Sequence, residues 1–211
     1  MQVFLKVKRF EGYMRIGIVV NPDAGLGGRL GFKGSDGRAE EARAAGAQDR
    51  AGPRMLQTLE ALKTLLESSL NRTNVEMECI GWQGRMGGAW MPSDNEKMSF
   101  TSIGQTPEKT SETETSELVR SLVESGAEAI LYAGGDGTTR DIANALHSID
   151  KDAQEMPLIG VPGGVKMHSG CFATTPKAAA EVTLAFLLGD LRCAITEVMD
   201  LDEEIYQEGV W

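Results

Sequence analysis

Apolar positions along the chain follow two alternating rhythms: short β-branched runs, and longer stretches with apolar residues three and four apart. Their order predicts the fold. The run over residues 15–20 ends in Asn21-Pro22 and reads as a buried strand entering a turn. Residues 38–46 and 54–66 follow as helices, the second carrying Met55, Leu56, Leu59, Leu62, Leu65 and Leu66 on one face. Residues 75–80 form a second strand. From 81 to 109 Gly, Ser, Thr and Pro dominate, so a long irregular excursion or flap is expected. Its Trp82, Trp90 and Met91 suit a lid, an interface or a plain core flap.

The second half alternates more regularly. Ser111 with Glu114 fits a capping box opening a helix to about residue 124, which Gly126 stops. Residues 129–133 form a strand, Gly134–Thr138 a turn, 140–149 a helix and 158–161 another strand. After a further glycine-bearing loop, Thr174 or Thr175 caps a helix with Pro176 in its first turn, and residues 194–200 form a last strand. Strands and helices alternating at this spacing predict an α/β fold, a three-layer parallel sheet with helices on both faces. In such sheets ligands bind beyond the carboxyl ends of the strands, so the three glycine loops that follow strands should converge on one crevice.

Composition narrows the function classes. With 211 residues the chain makes one large domain, which we place at residues 14–200, after an extension at 1–13 and before an acidic tail at 201–211. Net charge is −10, split as +3 over residues 1–93 (13 basic, 10 acidic) and −13 over 94–211 (8 basic, 21 acidic). Clustered Lys and Arg are what a nucleic-acid backbone requires, so no nucleic-acid partner is expected. No apolar window is long enough for a membrane span or a secretory leader, and a cytoplasmic protein with no membrane partner follows as the expectation. Cys79, Cys171 and Cys193 are odd in number and contain no CxxC pair, which predicts reduced, mostly buried thiols and assigns no metal ligand. A homo-oligomer is expected, with the acidic tail either a solvated end or a subunit contact.

Gly134-Gly135-Asp136-Gly137-Thr138, between a strand and a helix, is the most specific signal. Its glycines let backbone N–H groups approach an anion, and the following helix N-terminus favours negative charge. A carboxylate among phosphate-binding amides would be repelled unless it held Mg²⁺ or took a proton from an attacking hydroxyl. The alternative is that Asp136 caps the helix; Asn would then serve at a loss of about 1 kcal/mol or less. Gly25-Leu26-Gly27-Gly28-Arg29-Leu30-Gly31 is one residue off a dinucleotide-binding GxGxxG, and no acidic residue ends a second strand about twenty positions on, which speaks against a dehydrogenase. Arg29 and Lys33 in this loop could clamp phosphates, or it could be a plain solvated loop. No GxxxxGK[ST] occurs. His168, beside Lys166, could bind phosphate, shuttle a proton or be a hydrogen-bonded loop residue, whereas His147, late in a helix, reads as structural.

Three segments carry a family resemblance. Asn21-Pro22-Asp23-Ala24-Gly25, Gly134–Thr138 and the loop from Gly160 through Pro162, Gly163, Gly164, Lys166 and His168 to Ser169 are similar to the nucleotide-lining loops of the ATP-dependent NAD kinases, of which this chain resembles the N-terminal domain. More widely it resembles the GGDGT group that includes phosphofructokinases and the diacylglycerol and sphingosine kinases. The resemblance covers about residues 14–204. It implies phosphorylation of the 2′-hydroxyl of NAD from ATP, or from another phosphoryl donor, with Mg²⁺ as cofactor. Asp136 would be the catalytic base, and Asn21, Gly25, Gly134, Gly135, Gly137 and Thr138 would lie at the phosphates. Gly163, Gly164, Lys166 and His168 would line the second loop. In that family an all-β domain follows and supplies much of the dinucleotide site; the chain reads as the first domain, natural or truncated, with weak or absent turnover expected by itself. A lipid or sphingoid-type kinase and a non-catalytic nucleotide-binding or regulatory domain are the alternatives.

Overall fold

The computed structural model describes residues 12–26, 39–68, 75–164 and 167–199. Five strands, β1 (Gly12–Val20), β2 (Val75–Gln83), β3 (Met98–Gln105), β4 (Ala129–Gly134) and β5 (Leu158–Pro162), form one sheet in the order β3-β2-β1-β4-β5. Every pairing is parallel. The helices are α1 (Ala39–Ala44), α2 (Ala51–Ser68), α3 (Glu112–Glu124), α4 (Asp136–His147) and α5 (Pro176–Leu187), with single 3-10 turns at Gly88–Trp90 and Ala153–Glu155.

Both faces of the sheet are covered, which is why its strands read as nearly continuous apolar runs. On one face Ile16, Ile18 and Val20 of β1 and Leu131 and Ala133 of β4 pack with Met55, Leu59 and Leu62 of α2 and Ala179 and Leu187 of α5. On the other, Val19, Ile130 and Tyr132 meet Leu118 and Leu122 of α3 and Ile142 and Leu146 of α4. The period of two along β1 sets this division. Gly17 belongs to the second face, where a Cβ would stand 2.8 Å from a Leu122 methyl, so the strand's glycine lets α3 close down.

The predicted helix stops and caps are present. Ser111 accepts from the Thr113 N–H at 3.1 Å while its own N–H donates to Glu114 at 2.7 Å, and Gly126 ends α3 at φ +80°. Thr175 accepts from the Ala178 N–H at 3.0 Å with Pro176 opening α5.

Other expectations change. The excursion at 81–109 is not irregular throughout: β2 continues to Gln83, and β3 pairs beside it as the edge strand. Polar Ser and Thr in β3 hid the strand because its outer positions face water; Met98, its apolar anchor, is buried. Trp82 is core, Trp90 lies on Gly52 with its indole N–H on the Arg85 carbonyl at 2.7 Å, and Met91 packs against the core, which is the core-flap reading. Helix α2 begins at Ala51 rather than 54, with Pro53 in the first turn, where its missing N–H costs nothing. Helix α4 begins at Asp136 rather than 140. Described residues 194–199 form no strand. The free side of β5 is taken by residues 171–173, through Gly160 N–H to the Cys171 carbonyl and Ala173 N–H to the Gly160 carbonyl, both at 2.9 Å. Of the thiols, all free, Cys79 is buried, Cys171 half-buried and Cys193 exposed, so burial holds for one fully rather than for most. Residues 1–11 and 200–211, including nearly all of the predicted N-terminal extension and the whole acidic tail, lie outside the described residues.

Near the amino end of β1, buried Glu78 accepts from the Tyr13 hydroxyl, from Arg15 Nε at 2.7 Å and from Thr101 Oγ1 at 2.6 Å. Burial pushes its carboxyl up, but the hydrogen bonds from Thr101, Tyr13 and Arg15 outweigh it and the net shift is down. A lowered folded-state value means stability that is full above the unfolded value of about 4.3 and lost as pH falls through the folded one. Melting temperature should therefore fall less between about pH 5 and 3 in Glu78→Gln than in the wild type. Parallel melting curves for the two proteins over that range would contradict this.

Candidate functional site

The sheet order makes β1 and β4 adjacent strands whose connections leave in opposite directions, the switch point at which doubly wound sheets open a crevice. Both strands end there in the segments singled out above. Asn21 ties them together. Its N–H donates to the Ala133 carbonyl at 3.0 Å, and its Nδ2 donates to Thr138 Oγ1 at 2.9 Å, while its Oδ1 takes the Asp23 N–H at 3.0 Å and shapes the turn that follows.

The third loop closes on these two through backbone. The N–H groups of Gly163 and Gly164 both donate to the Gly134 carbonyl, at 3.0 and 2.7 Å. A Cβ on Gly164 would stand 2.7 Å from the Gly135 Cα. One on Gly25, already at φ +81°, would stand 2.6 Å from the Gly163 carbonyl oxygen. Gly163 in turn lies against the start of α2, with 3.0 Å from its would-be Cβ to the Ala51 Cα. The expected convergence of three glycine loops is thus a stack of main chains that tolerates no side chain. Gly137 differs, because a Cβ there would meet nothing within 4 Å. It sits in the first turn of α4, where the N–H groups of Asp136, Gly137 and Thr138 have no acceptor within the helix. This open, amide-lined spot is where an anion fits.

Asp136 does not cap α4. The cap is Gly135, which has no side chain to offer, and Asp136 is the first helical residue. Its carboxylate reaches across to the β5 loop. Oδ1 accepts from the His168 N–H at 3.0 Å, the Ser169 N–H at 2.9 Å and the Ser169 hydroxyl at 2.6 Å; Oδ2 accepts from the His168 N–H at 2.8 Å. Asp136 is 2% exposed, and the helix N-terminus adds favourable field to its charge. Beneath it the Tyr132 hydroxyl bonds Thr139 Oγ1 at 2.6 Å and Cys171 Sγ at 3.0 Å. Burial pushes that phenol up, so it is neutral packing between α4 and the loop.

The structure therefore brings Asn21, Gly25, Gly134, Gly135, Asp136, Thr138, Gly163 and Gly164 together, with Gly137 at the open face. His168 enters only through its main chain, and its ring is exposed. Arg29, Lys33 and Lys166 lie outside the described residues. Sequence reasoning missed Arg43 and Arg54, and it named Ser169 only as the end of the third segment, without a role. Arg43 braces the first loop through the Pro22 carbonyl at 3.1 Å and Asp23 at 2.6 Å, and Arg54 donates to the Pro162 carbonyl. Both are on helices with no motif to mark them; only the approach of α1 and α2 to the strand ends gives them this place.

Among the described residues no three His, Cys, Asp or Glu side chains cluster as a cage for a metal ion. Magnesium commonly rides on nucleotide phosphates with one or two carboxylates. Three donors already aimed at Asp136 Oδ1 leave that oxygen no room for such an ion.

Residues 16–191 match the family model of the ATP-NAD kinase N-terminal domain. The chain belongs to this family. Membership carries a kinase-type, nucleotide-related function, and the parallel α/β sheet is consistent with it. Among curated proteins none matches the chain. Among solved structures the chain is similar to a short-chain dehydrogenase/reductase (wide type) from Veillonella parvula DSM 2008 in complex with NADP, at 14% identity and a TM-score of 0.29, over 72% of this chain and 48% of that one. No weight rests on a likeness at that level. No described helix of this NAD kinase family member is long and apolar enough to cross a membrane.

Proposed function

We propose that the chain takes part in transferring the γ-phosphoryl group of ATP to the 2′-hydroxyl of NAD. The observation that carries this is Asp136: a carboxylate held by three neighbouring donors in the first turn of α4, beside the open spot at Gly137, where the family signature and the switch point coincide. Orphan N–H groups of that turn bind the transferring phosphate, and Asn21 and the glycine stack hold their spacing. The hydroxyl oxygen bonds to the γ-phosphorus as the bond from that phosphorus to its bridging oxygen breaks. ADP leaves with the electron pair, and the hydroxyl proton passes to the Asp136 carboxylate. Bound Mg²⁺ would neutralise charge on the phosphates. Phosphoryl transfer asks little covalent chemistry of a protein, so positioned amides and one base suffice.

The test is NADP formation from NAD, ATP and Mg²⁺, with melting temperature measured in the same ligands. A rise in melting temperature with NAD or ATP and weak but measurable ATP-dependent NADP formation above the blank are expected. No shift with either ligand at millimolar concentration would sink nucleotide binding itself. A second reading, a nucleotide-binding domain without turnover, draws support from the burial of Asp136. Ligand-induced stabilisation with no NADP would select it.

A further inference from the structure

Ser169 is 4% exposed, one of few polar residues buried in the described chain, and its hydroxyl stands between two partners that together fix its direction. The Met199 N–H donates to Ser169 Oγ at 3.0 Å. The single hydroxyl hydrogen is therefore free to go to Asp136 Oδ1, 2.6 Å away, and a carboxylate can only accept it. Met199 belongs to the irregular segment after α5, which is held to the same loop at a second point, where the Thr196 side chain occupies the space a Cβ on Gly170 would take.

The two carboxylate oxygens of Asp136 consequently differ. Oδ1 takes three donors, Ser169 Oγ, Ser169 N–H and His168 N–H, and its acceptor capacity is used. Among the described residues Oδ2 takes only the His168 N–H at 2.8 Å, which leaves it a lone pair. We propose that Ser169 is a positioning residue for the reaction assigned above: its hydroxyl locks Oδ1 so that Oδ2 receives the acceptor's proton, and the Met199 amide holds that hydroxyl in its donating direction. The proposal rests on the kinase reading but assigns a role to a residue, and to a segment beyond α5, that the signature motif does not include.

A residue that aims a base without touching substrate should move kcat and leave KM. Ser169→Ala is expected to lower kcat for NADP formation by about 10- to 100-fold, the usual scale of losing alignment at a reacting centre. KM for NAD and for ATP should stay within about twofold, because only alignment of the base is lost. Ser169→Thr, which keeps the hydroxyl, should recover most of the rate. Hydrogen exchange on the same proteins gives a readout independent of turnover: amides of residues 196–199 should exchange faster in Ser169→Ala than in the wild type.

A wild type that makes NADP and a Ser169→Ala variant with the same kcat overturn the positioning role alone. Raised KM with unchanged kcat does so too, by placing Ser169 in binding. Unchanged exchange at 196–199 overturns the link to Met199. A wild type that binds nucleotide but makes no NADP overturns the kinase reading and the positioning role with it.

Discussion

Asp136→Asn is expected to lower NADP formation by roughly 10²–10⁴-fold, the usual worth of a positioned general base. The sequence alone suggested that Asn would replace Asp at almost no structural cost, as a helix cap would. The structure revises that. Asp136 is not the cap, and its two oxygens receive three donor groups across a buried loop contact. Asn offers one acceptor oxygen and an NH₂ that would meet the His168 N–H where Oδ2 now accepts it, so charge-assisted bonds are lost and one donor faces another. A stability loss of about 1–3 kcal/mol is expected instead of 1 or less. Nucleotide affinity should hold or rise, since a carboxylate near phosphates is repulsive in the ground state. The measurement is activity well below the melting transition, with melting recorded for both proteins. A folded variant keeping more than about a tenth of the wild-type rate would make Asp136 a clasp between α4 and the β5 loop and no more.

Gly25→Ala and Gly137→Ala should behave in opposite ways although both touch the same signature loops. Gly25 sits at φ +81° with the Gly163 carbonyl oxygen 2.6 Å from where a Cβ would go, and main chain cannot swing aside as a side-chain tip can. A left-handed conformation costs about 1–2 kcal/mol. Overpacking against backbone costs about 1–3 kcal/mol more, so a fall in stability of several kcal/mol, with the loops pushed apart, is expected. Gly137 faces open space within a helix, so Ala there should hold or raise the melting temperature, Ala being the better helix former by about 1 kcal/mol. Its methyl would stand where a phosphate should approach the first turn of α4. Stabilisation by ATP should therefore shrink in Gly137→Ala while the unliganded protein is unharmed. If ATP stabilises Gly137→Ala as it does the wild type, the phosphate does not lie there.

Much of this molecule was legible in the chain because its information is local. Ser111 with Glu114, Thr175 with Pro176, and Gly126 announce helix ends through hydrogen bonds that span three or four residues, and the apolar runs of β1, β4 and β5 announce strands covered on both faces. The alternation of these elements determined a parallel α/β sheet, and with it the end of the sheet at which a crevice opens. The glycine loops were legible as a group for the same reason.

What the tertiary structure decided is what depends on partners far along the chain. Strand β3 carries Ser and Thr on its water-facing side, and only β2 beside it makes it a strand. Residues 194–199 have strand-like composition, but the side of β5 is filled by 171–173 and no ladder is left for them. Asp136 reads locally as a cap because caps are set within one turn; its actual bonds cross 32 and 33 residues to His168 and Ser169. Arg43 and Arg54 have ordinary helical surroundings in sequence and reach the strand-end loops only because their helices pack there. The sequence by itself determined most of the elements, the parallel sheet and the end of it at which the glycine loops meet. Which oxygen of Asp136 takes three donors and which takes one was decided by loop closure across the sheet, because a hydrogen-bond direction is set by groups in space and not by neighbours in the chain.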